Sequence, residues 1–133
     1  MLGKRKIRKN AFELLFGYEF NKEENAEDYF NRAYDNFSCE DDENESVKNL
    51  FLNICEKISV LDERISKYLQ GWKITRLSKA TITILRISAY EMLFENLSPS
   101  ISINEAVELA KKYCEDKAPG FINGVLNNLA KEI

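Results

Sequence analysis

Histidine is absent from this chain of 133 residues, which also has only three cysteines, two prolines and five glycines. Without histidine the sequence lacks the commonest general base and a usual zinc ligand, so Cys/His zinc sites and histidine-dependent hydrolysis are improbable. Cys39, Cys55 and Cys114 are an odd number at wide spacing, which favours half-buried hydrophobic side chains over a disulfide framework. We therefore expect no metal, no cofactor and no catalytic residue.

The shortage of glycine and proline also argues against an all-β sandwich, because such a fold needs a turn about every 8–12 residues. No apolar run approaches the roughly 18 residues of a membrane span, and no apolar segment of a signal peptide follows the first basic residues. A hydrophobic content of 44% is sufficient for a core. We expect a soluble, cytoplasmic protein with one domain over residues 1–133 and no membrane contact.

Charge is distributed unevenly along the chain, although the net charge is only −3. Residues 1–18 hold five basic groups against one acid, and residues 19–45 hold eleven acids against two basic groups. The basic groups form an arm within residues 1–9, and five cations there suit several phosphates of a nucleic acid. A solubilising stretch or a frayed end is the alternative. The acidic run EDDENE at residues 40–45 is typical of a solvated loop.

Helical periodicity begins inside the basic arm. One helix face is formed by Ile7, Ala11, Leu14, Leu15 and Tyr18. Positive charge at the start of a helix opposes the helix dipole, at a cost of a few tenths of a kcal/mol per group. A sequence selected only for folding would avoid that arrangement, so the basic start favours a binding function.

Further helices are predicted along the rest of the chain. Residues 26–37 indicate one helix, and residues 47–69 indicate two, with Asp62 as the cap of the second. Residues 81–87 alternate like a strand, but the helical period extends over a longer window and favours a helix.

The last third of the chain carries terminus signals for two more helices. Ser102 and Glu105 have the spacing of a capping box, and Pro119 suits the first turn of the final helix. Gly120 and Gly124 leave a flat strip where another backbone has room to approach closely. About seven helices with short connections predict an all-α bundle.

Three blocks of the sequence resemble the NusB family of bacterial transcription antitermination factors. The first block is KIRKNAFELLF at residues 6–16. The second contains Trp72, Arg76 and ILRISAYEM at residues 84–92. The third, which is the most specific, combines INEAVELAK at residues 103–111 with FINGVL at residues 121–126. Residues 20–60 match only in their helical pattern.

The resemblance implies a compact all-helical fold of two small helical sub-bundles. It also implies binding to the single-stranded boxA element of ribosomal RNA transcripts, together with the ribosomal protein NusE. This complex would then join the elongating RNA polymerase with other Nus factors and suppress premature termination. Neither catalysis nor a cofactor is implied.

Site residues also follow from the resemblance. The RNA-binding candidates are Lys4, Arg5, Lys6, Arg8, Lys9, Lys117 and Phe121. The candidates that face the protein partner are Arg86, Tyr90 and Glu91. Phe121 can also be a core residue of the last helix, and Tyr90 and Glu91 can be ordinary helix surface.

The chain departs from the family pattern at three positions within these regions. Lys9 stands where the family usually has an acid, and Thr81 stands where an acid is common on the partner-facing helix. Gly120 lies in a stretch that normally carries a basic residue before the aromatic one. These changes affect two properties, which are the RNA contact near Gly120 and the affinity for the protein partner.

Two other classes of function remain open. One is a helical protein–protein adaptor whose basic arm is incidental. The other is an enzyme, because the family's helical domain also occurs fused to an RNA cytosine methyltransferase. The sequence has no glycine-rich cofactor loop and no catalytic cysteine motif, which argues against the enzyme.

Overall fold

The computed structural model describes residues 4–34 and 41–133, and side chains from residue 44 onward in the second range. No strand occurs in these two ranges. The α-helices are α1 (Lys4–Tyr18), α2 (Ala26–Ala33), α3 (Asp41–Ser66), α4 (Lys79–Phe94), α5 (Pro99–Tyr113) and α6 (Ala118–Ala130). A short 3-10 helix covers Ile74–Arg76. Cys39 lies outside the described residues.

The chain divides into two compact units, Met1–Glu56 and Lys57–Ile133. The first unit contains α1, α2 and the beginning of α3, and the second contains the end of α3 and the three remaining α-helices. The all-α prediction is confirmed, and the two units agree with the two sub-bundles that the family resemblance implies. Seven helices were expected, whereas the described ranges contain six α-helices, and the 3-10 helix was not among those predicted.

Aromatic packing builds the core of the first unit. The ring of Tyr18 at the end of α1 lies 5.1 Å from the ring of Tyr29 and 5.8 Å from that of Phe51, measured between centroids. Phe30 is 5.9 Å from Phe51. Such offset and edge contacts stabilise a core beyond simple burial of area. They fix α1, and therefore its basic first turns, on the rest of this unit.

Gly17 is required by this aromatic packing. A Cβ atom at Gly17 would overlap the hydroxyl of Tyr29, whose side chain is buried and cannot move away cheaply. We expect Gly17→Ala to lower the free energy of unfolding by about 1 kcal/mol, because overpacking outweighs the helix propensity gained by alanine. In a Tyr29→Phe background the same change should be neutral or stabilising. Urea denaturation of the four variants measures both effects, and equal losses in the two backgrounds would contradict this explanation.

Helix α4 is the centre of the second unit. Every residue from Thr81 to Met92 is buried, and the helix packs against both α5 and α6. Because none of these residues is exposed, polar ones included, α4 occupies the buried centre of its unit. The helix predicted for the ambiguous segment 81–87 is confirmed. β-Branched residues suit this helix because tertiary burial overrides their local preference for strands.

The prediction of two helices over residues 47–69 is wrong, because α3 is continuous from Asp41 to Ser66. Asp62 does not begin a new helix. Its carboxylate accepts two hydrogen bonds from the Arg86 guanidinium, at 2.8 and 2.7 Å. The sequence prediction therefore treated Asp62 as a local helix cap, although its hydrogen-bond partner, Arg86, comes from α4.

The predicted capping box is also wrong. Helix α5 begins at Pro99, with Ser98 as its N-cap residue, so Ser102 lies in the second turn. Ser102 is completely buried, and its hydroxyl lies 2.7 Å from the Ser88 hydroxyl and 3.1 Å from Glu91 Oε1. A proline in the first helical turn explains the earlier start, since its missing N–H is not needed there.

Two smaller expectations also change. Residues 41–45 of the acidic run, predicted as a loop, belong to the first turns of α3. Glu40 lies outside the described residues. A Cβ atom at Gly120 or Gly124 would meet nothing within 4 Å, so no described neighbour uses the strip beside them. Pro119 does lie in the first turn of α6, as predicted.

No helix in the described ranges has both the length and the apolar character that crossing a membrane demands.

Candidate nucleic-acid interface

The basic arm is the first turns of α1 from Lys4 onward. Lys4, Arg5 and Lys6 are exposed, whereas Lys9 is partly buried. Arg8 is only 3% exposed, so it belongs to the interior of the first unit. The first turn contains no acid. This end of the helix therefore presents three exposed cations, which attract anions.

The second group of predicted RNA-binding residues lies at the start of α6. Lys117 immediately precedes this helix and is exposed, while Phe121 in its first turns is partly buried. Both residues line an open cleft of about 380 Å³. The same cleft is lined by Trp72 and Arg76, which come from the segment between α3 and α4.

That connecting segment is a series of tight turns. The N–H of Trp72 donates to the Leu69 carbonyl at 3.1 Å, and the N–H of Arg76 donates to the Lys73 carbonyl at 2.9 Å. Gln70 and Gly71 have φ angles of 53° and 90°, which place both in the left-handed region. These turns direct Trp72 into the solvent, where 60% of the residue is exposed.

Thr81 lies at the base of this cleft, at the start of α4. Ser78 caps α4 by accepting a hydrogen bond from the Thr81 N–H at 3.2 Å, and its hydroxyl donates to Thr81 Oγ1 at 2.9 Å. Thr81 in turn donates to the Cys114 sulfur at 3.8 Å. Burial raises the pKa of the Cys114 thiol, so this cysteine is a poor nucleophile. The Thr81 side chain therefore forms its hydrogen bonds within the fold.

The three residues predicted to face a protein partner are all buried. Arg86 is 8% exposed, Tyr90 is 7% exposed and Glu91 is 2% exposed. Arg86 forms the bidentate ion pair with Asp62, and Glu91 accepts a hydrogen bond from Ser102. Their contact with a partner stays a prediction, and in the isolated chain they offer little surface.

An exposed aromatic ring, Phe94, lies at the end of α4 against the buried Tyr90. The rings of Tyr90 and Phe94 stack at 5.5 Å between centroids, and 43% of Phe94 is exposed. The ammonium group of Lys57 lies over the Phe94 ring at 5.1 Å. Sequence reasoning missed both Phe94 and Lys57, because one aromatic residue at a helix end carries no functional signal.

No cluster of three or more potential metal ligands occurs among the residues that the structure describes. The described surfaces offer exposed cations on α1 and, around the cleft, cations beside aromatic residues. These features define an all-helical protein with a candidate nucleic-acid interface. The Trp72 side of the cleft was missed, although the only tryptophan of the chain followed by Lys73 and Arg76 was a usable signal.

Comparison with known proteins identifies the family within this class of helical proteins. The family model described as NusB family matches residues 5–131. The transcription antitermination protein NusB of Clostridium novyi is 42% identical over 137 residues, and the alignment covers 98% of this chain and 99% of that protein. The chain belongs to the NusB family.

Solved structures agree with this assignment. A crystal form of T. maritima NusB superimposes with a TM-score of 0.90 at 32% identity, covering 98% of this chain and 92% of that chain. A crystal structure of the antitermination factors NusB and NusE in complex with dsRNA gives a TM-score of 0.84 at 28% identity. That match covers 98% of this chain and 97% of the other.

Proposed function

We propose that the protein is a transcription antitermination factor that binds boxA RNA of ribosomal RNA transcripts together with the ribosomal protein NusE. The complex then promotes elongation by RNA polymerase with other Nus factors. The observation that carries this proposal is full-length membership of the NusB family, together with a solved relative that contains both NusE and RNA.

The exposed cations of α1 supply the proposed contact with the RNA backbone. Arginine grips a phosphate with two parallel hydrogen bonds, and lysine acts as a point charge. Lys4, Arg5 and Lys6 are exposed for this purpose. Lys9 contributes charge from a partly buried position, and Arg8 supports the helix from the interior.

The start of α6 supplies the proposed contact with a base. Phe121 presents part of its ring to the cleft, and Lys117 lies beside it. Aromatic stacking contributes roughly 1–3 kcal/mol per base in single-stranded nucleic acid complexes. Lys117 takes the place of the basic residue that the family usually has nearer to the aromatic one.

The proposed NusE surface lies on α4. Because Arg86, Tyr90 and Glu91 are buried, we assign them a positioning role beneath that surface. Arg86 holds α4 to α3 through Asp62, and Tyr90 stacks on the exposed Phe94. The proposal includes no catalytic step, and it places the protein in the cytoplasm, where bacterial transcripts are made.

A binding assay with labelled boxA RNA tests this function. The full chain is titrated with the RNA, with and without purified NusE, and with a scrambled RNA of the same composition. With NusE present we expect boxA to bind at least about tenfold more tightly than the scrambled RNA, equivalent to about 1.4 kcal/mol.

Equal affinity for the two RNAs would contradict the proposal. If the chain still bound NusE in that case, the adaptor function would be favoured instead. The NusE titration without RNA measures that binding directly and separates the two results.

A further inference from the structure

Trp72 is an unusual surface residue. A tryptophan residue that is 60% exposed loses the free energy that its burial would supply, and large exposed aromatic residues commonly mark interaction sites. Its backbone is held by the hydrogen bond to Leu69 and by the left-handed turn at Gln70 and Gly71. The exposure of Trp72 is thus built into an ordered turn of the chain.

The cleft that Trp72 shares with Phe121 has the properties of a small planar-ligand site. Its volume of about 380 Å³ is near the lower end of the usual range for ligand pockets. Arg76 and Lys117 line it together with the two aromatic residues, and Glu115 is the acid on its wall. Aromatic faces flanked by cations suit a base and its phosphates.

A second, neighbouring opening continues the cationic surface. Its volume is about 430 Å³, and it shares Trp72 and Arg76 with the cleft. Lys73 adds another cation there, while Gln70 and Gly71 form the rest of the wall. The two openings therefore meet at Trp72 and Arg76, with aromatic rings on one side and mainly cations on the other.

We propose that Trp72 and Phe121 form a base-binding subsite, in which one base of the single-stranded RNA lies in the cleft and its adjoining phosphate contacts Arg76 and Lys73. The proposal rests on the RNA-binding function above and extends it to Trp72, Lys73 and Arg76, which lie outside α1 and α6. A protein segment is the other occupant to consider, but the cations beside the rings match a polyanion better.

Substitution of Trp72 tests the subsite in the full chain with NusE and boxA RNA. We expect Trp72→Ala to weaken RNA binding by about tenfold, within the range of roughly 5- to 160-fold that loss of one stacked base represents. Trp72→Phe should retain most of the affinity, because it keeps an aromatic face. Arg76→Gln should make the salt slope of log K shallower by about 0.7.

Ile101→Ala is the matched control, because Ile101 is 53% exposed and does not line the cleft. It should leave the affinity for RNA unchanged. Thermal unfolding of each variant shows whether the fold is retained. If Trp72→Ala binds boxA as tightly as the wild type does, the proposed subsite is wrong. The proposed function still stands in that case, because the wild-type protein binds boxA.

Fluorine NMR identifies the occupant directly. Trp72 is the only tryptophan, so 5-fluorotryptophan incorporated into this chain gives a single labelled site. We expect boxA RNA to shift the resonance in the presence of unlabelled NusE. If NusE alone shifted the fluorine resonance and the addition of RNA caused no further shift, the proposal would be overturned in favour of a protein ligand. No boxA binding by the wild type would remove the function and the subsite together.

Discussion

Neutralising Lys4, Arg5 and Lys6 together as glutamines is expected to remove most of the salt dependence of RNA binding. If the wild type engages three to five phosphates, its log K falls with log salt at a slope of roughly −2 to −3.5. Raising the salt from 50 to 200 mM then weakens binding roughly 20- to 130-fold. Without three of these contacts the same change should cost less than about tenfold.

The structure determines how this experiment is designed. Deleting residues 1–9 would remove the buried Arg8 and shorten α1, so a loss of binding would not distinguish charge from folding. The triple substitution changes only exposed side chains. Electrophoretic or fluorescence titrations at several salt concentrations give the two slopes.

A matched control removes three cations from elsewhere on the surface. Lys22, Lys67 and Lys111 are exposed, and none of them lines the cleft. Replacing all three with glutamine makes the same change in net charge and should leave the salt slope close to that of the wild type. If both triple variants lowered the slope equally, the arm would have no special role and general charge would explain the binding.

Asp62→Ala is expected to lower the free energy of unfolding by about 2–4 kcal/mol. Removing Asp62 deprives the largely buried Arg86 guanidinium of its two hydrogen bonds to a carboxylate. The Arg86 side chain is 9% exposed and that of Asp62 is 24% exposed, so solvent screens the remaining guanidinium only weakly. Thermal denaturation should show a fall in Tm of roughly 10 °C.

A double-mutant cycle separates the charge from the packing. The cycle consists of Asp62→Asn, Arg86→Met and the double variant, which should lose less stability than the sum of the two single losses because both charges are removed together. The ion pair between Arg64 and Glu132, at 3.0 Å, is the comparison, because both of its side chains are more exposed than Arg86. Glu132→Ala should cost less than about 1 kcal/mol. Strict additivity in the cycle would contradict coupling between Asp62 and Arg86.

Features that depend on long periodic patterns were predictable from the sequence. The helical period over residues 81–93 outweighed a short strand-like alternation, and α4 confirms it. Pro119 correctly indicated the first turn of α6. The basic start of α1 was predictable because charge is visible directly in the sequence, without knowledge of any tertiary contact.

Errors arose where a polar residue had a tertiary partner. Asp62 and Ser102 both have the residue type of a helix cap, but one pairs with Arg86 and the other bonds with Ser88 and Glu91. A local rule has no information on a neighbour supplied by another helix. The burial of Arg8 was missed for the same reason, because its charge alone suggests exposure.

The cleft could be predicted only in part. The family resemblance pointed to Phe121 and Lys117 on α6, but their approach to Trp72 and Arg76 depends on how the turns between α3 and α4 return to the start of α6. Residues 41 to 49 positions apart in the sequence line the same cleft, and no sequence period indicates such a meeting.

Complete burial of α4 from Thr81 to Met92 has a consequence for hydrogen exchange. Amides in a helix without a solvent-facing side exchange only when the surrounding unit opens as a whole, so α4 should be the slowest-exchanging segment of residues 57–133. The turns that carry Trp72 precede this segment in the chain and have no such shielding. If the amides of these turns exchanged quickly while those of α4 stayed protected, the surface around Trp72 would open locally without unfolding of α4.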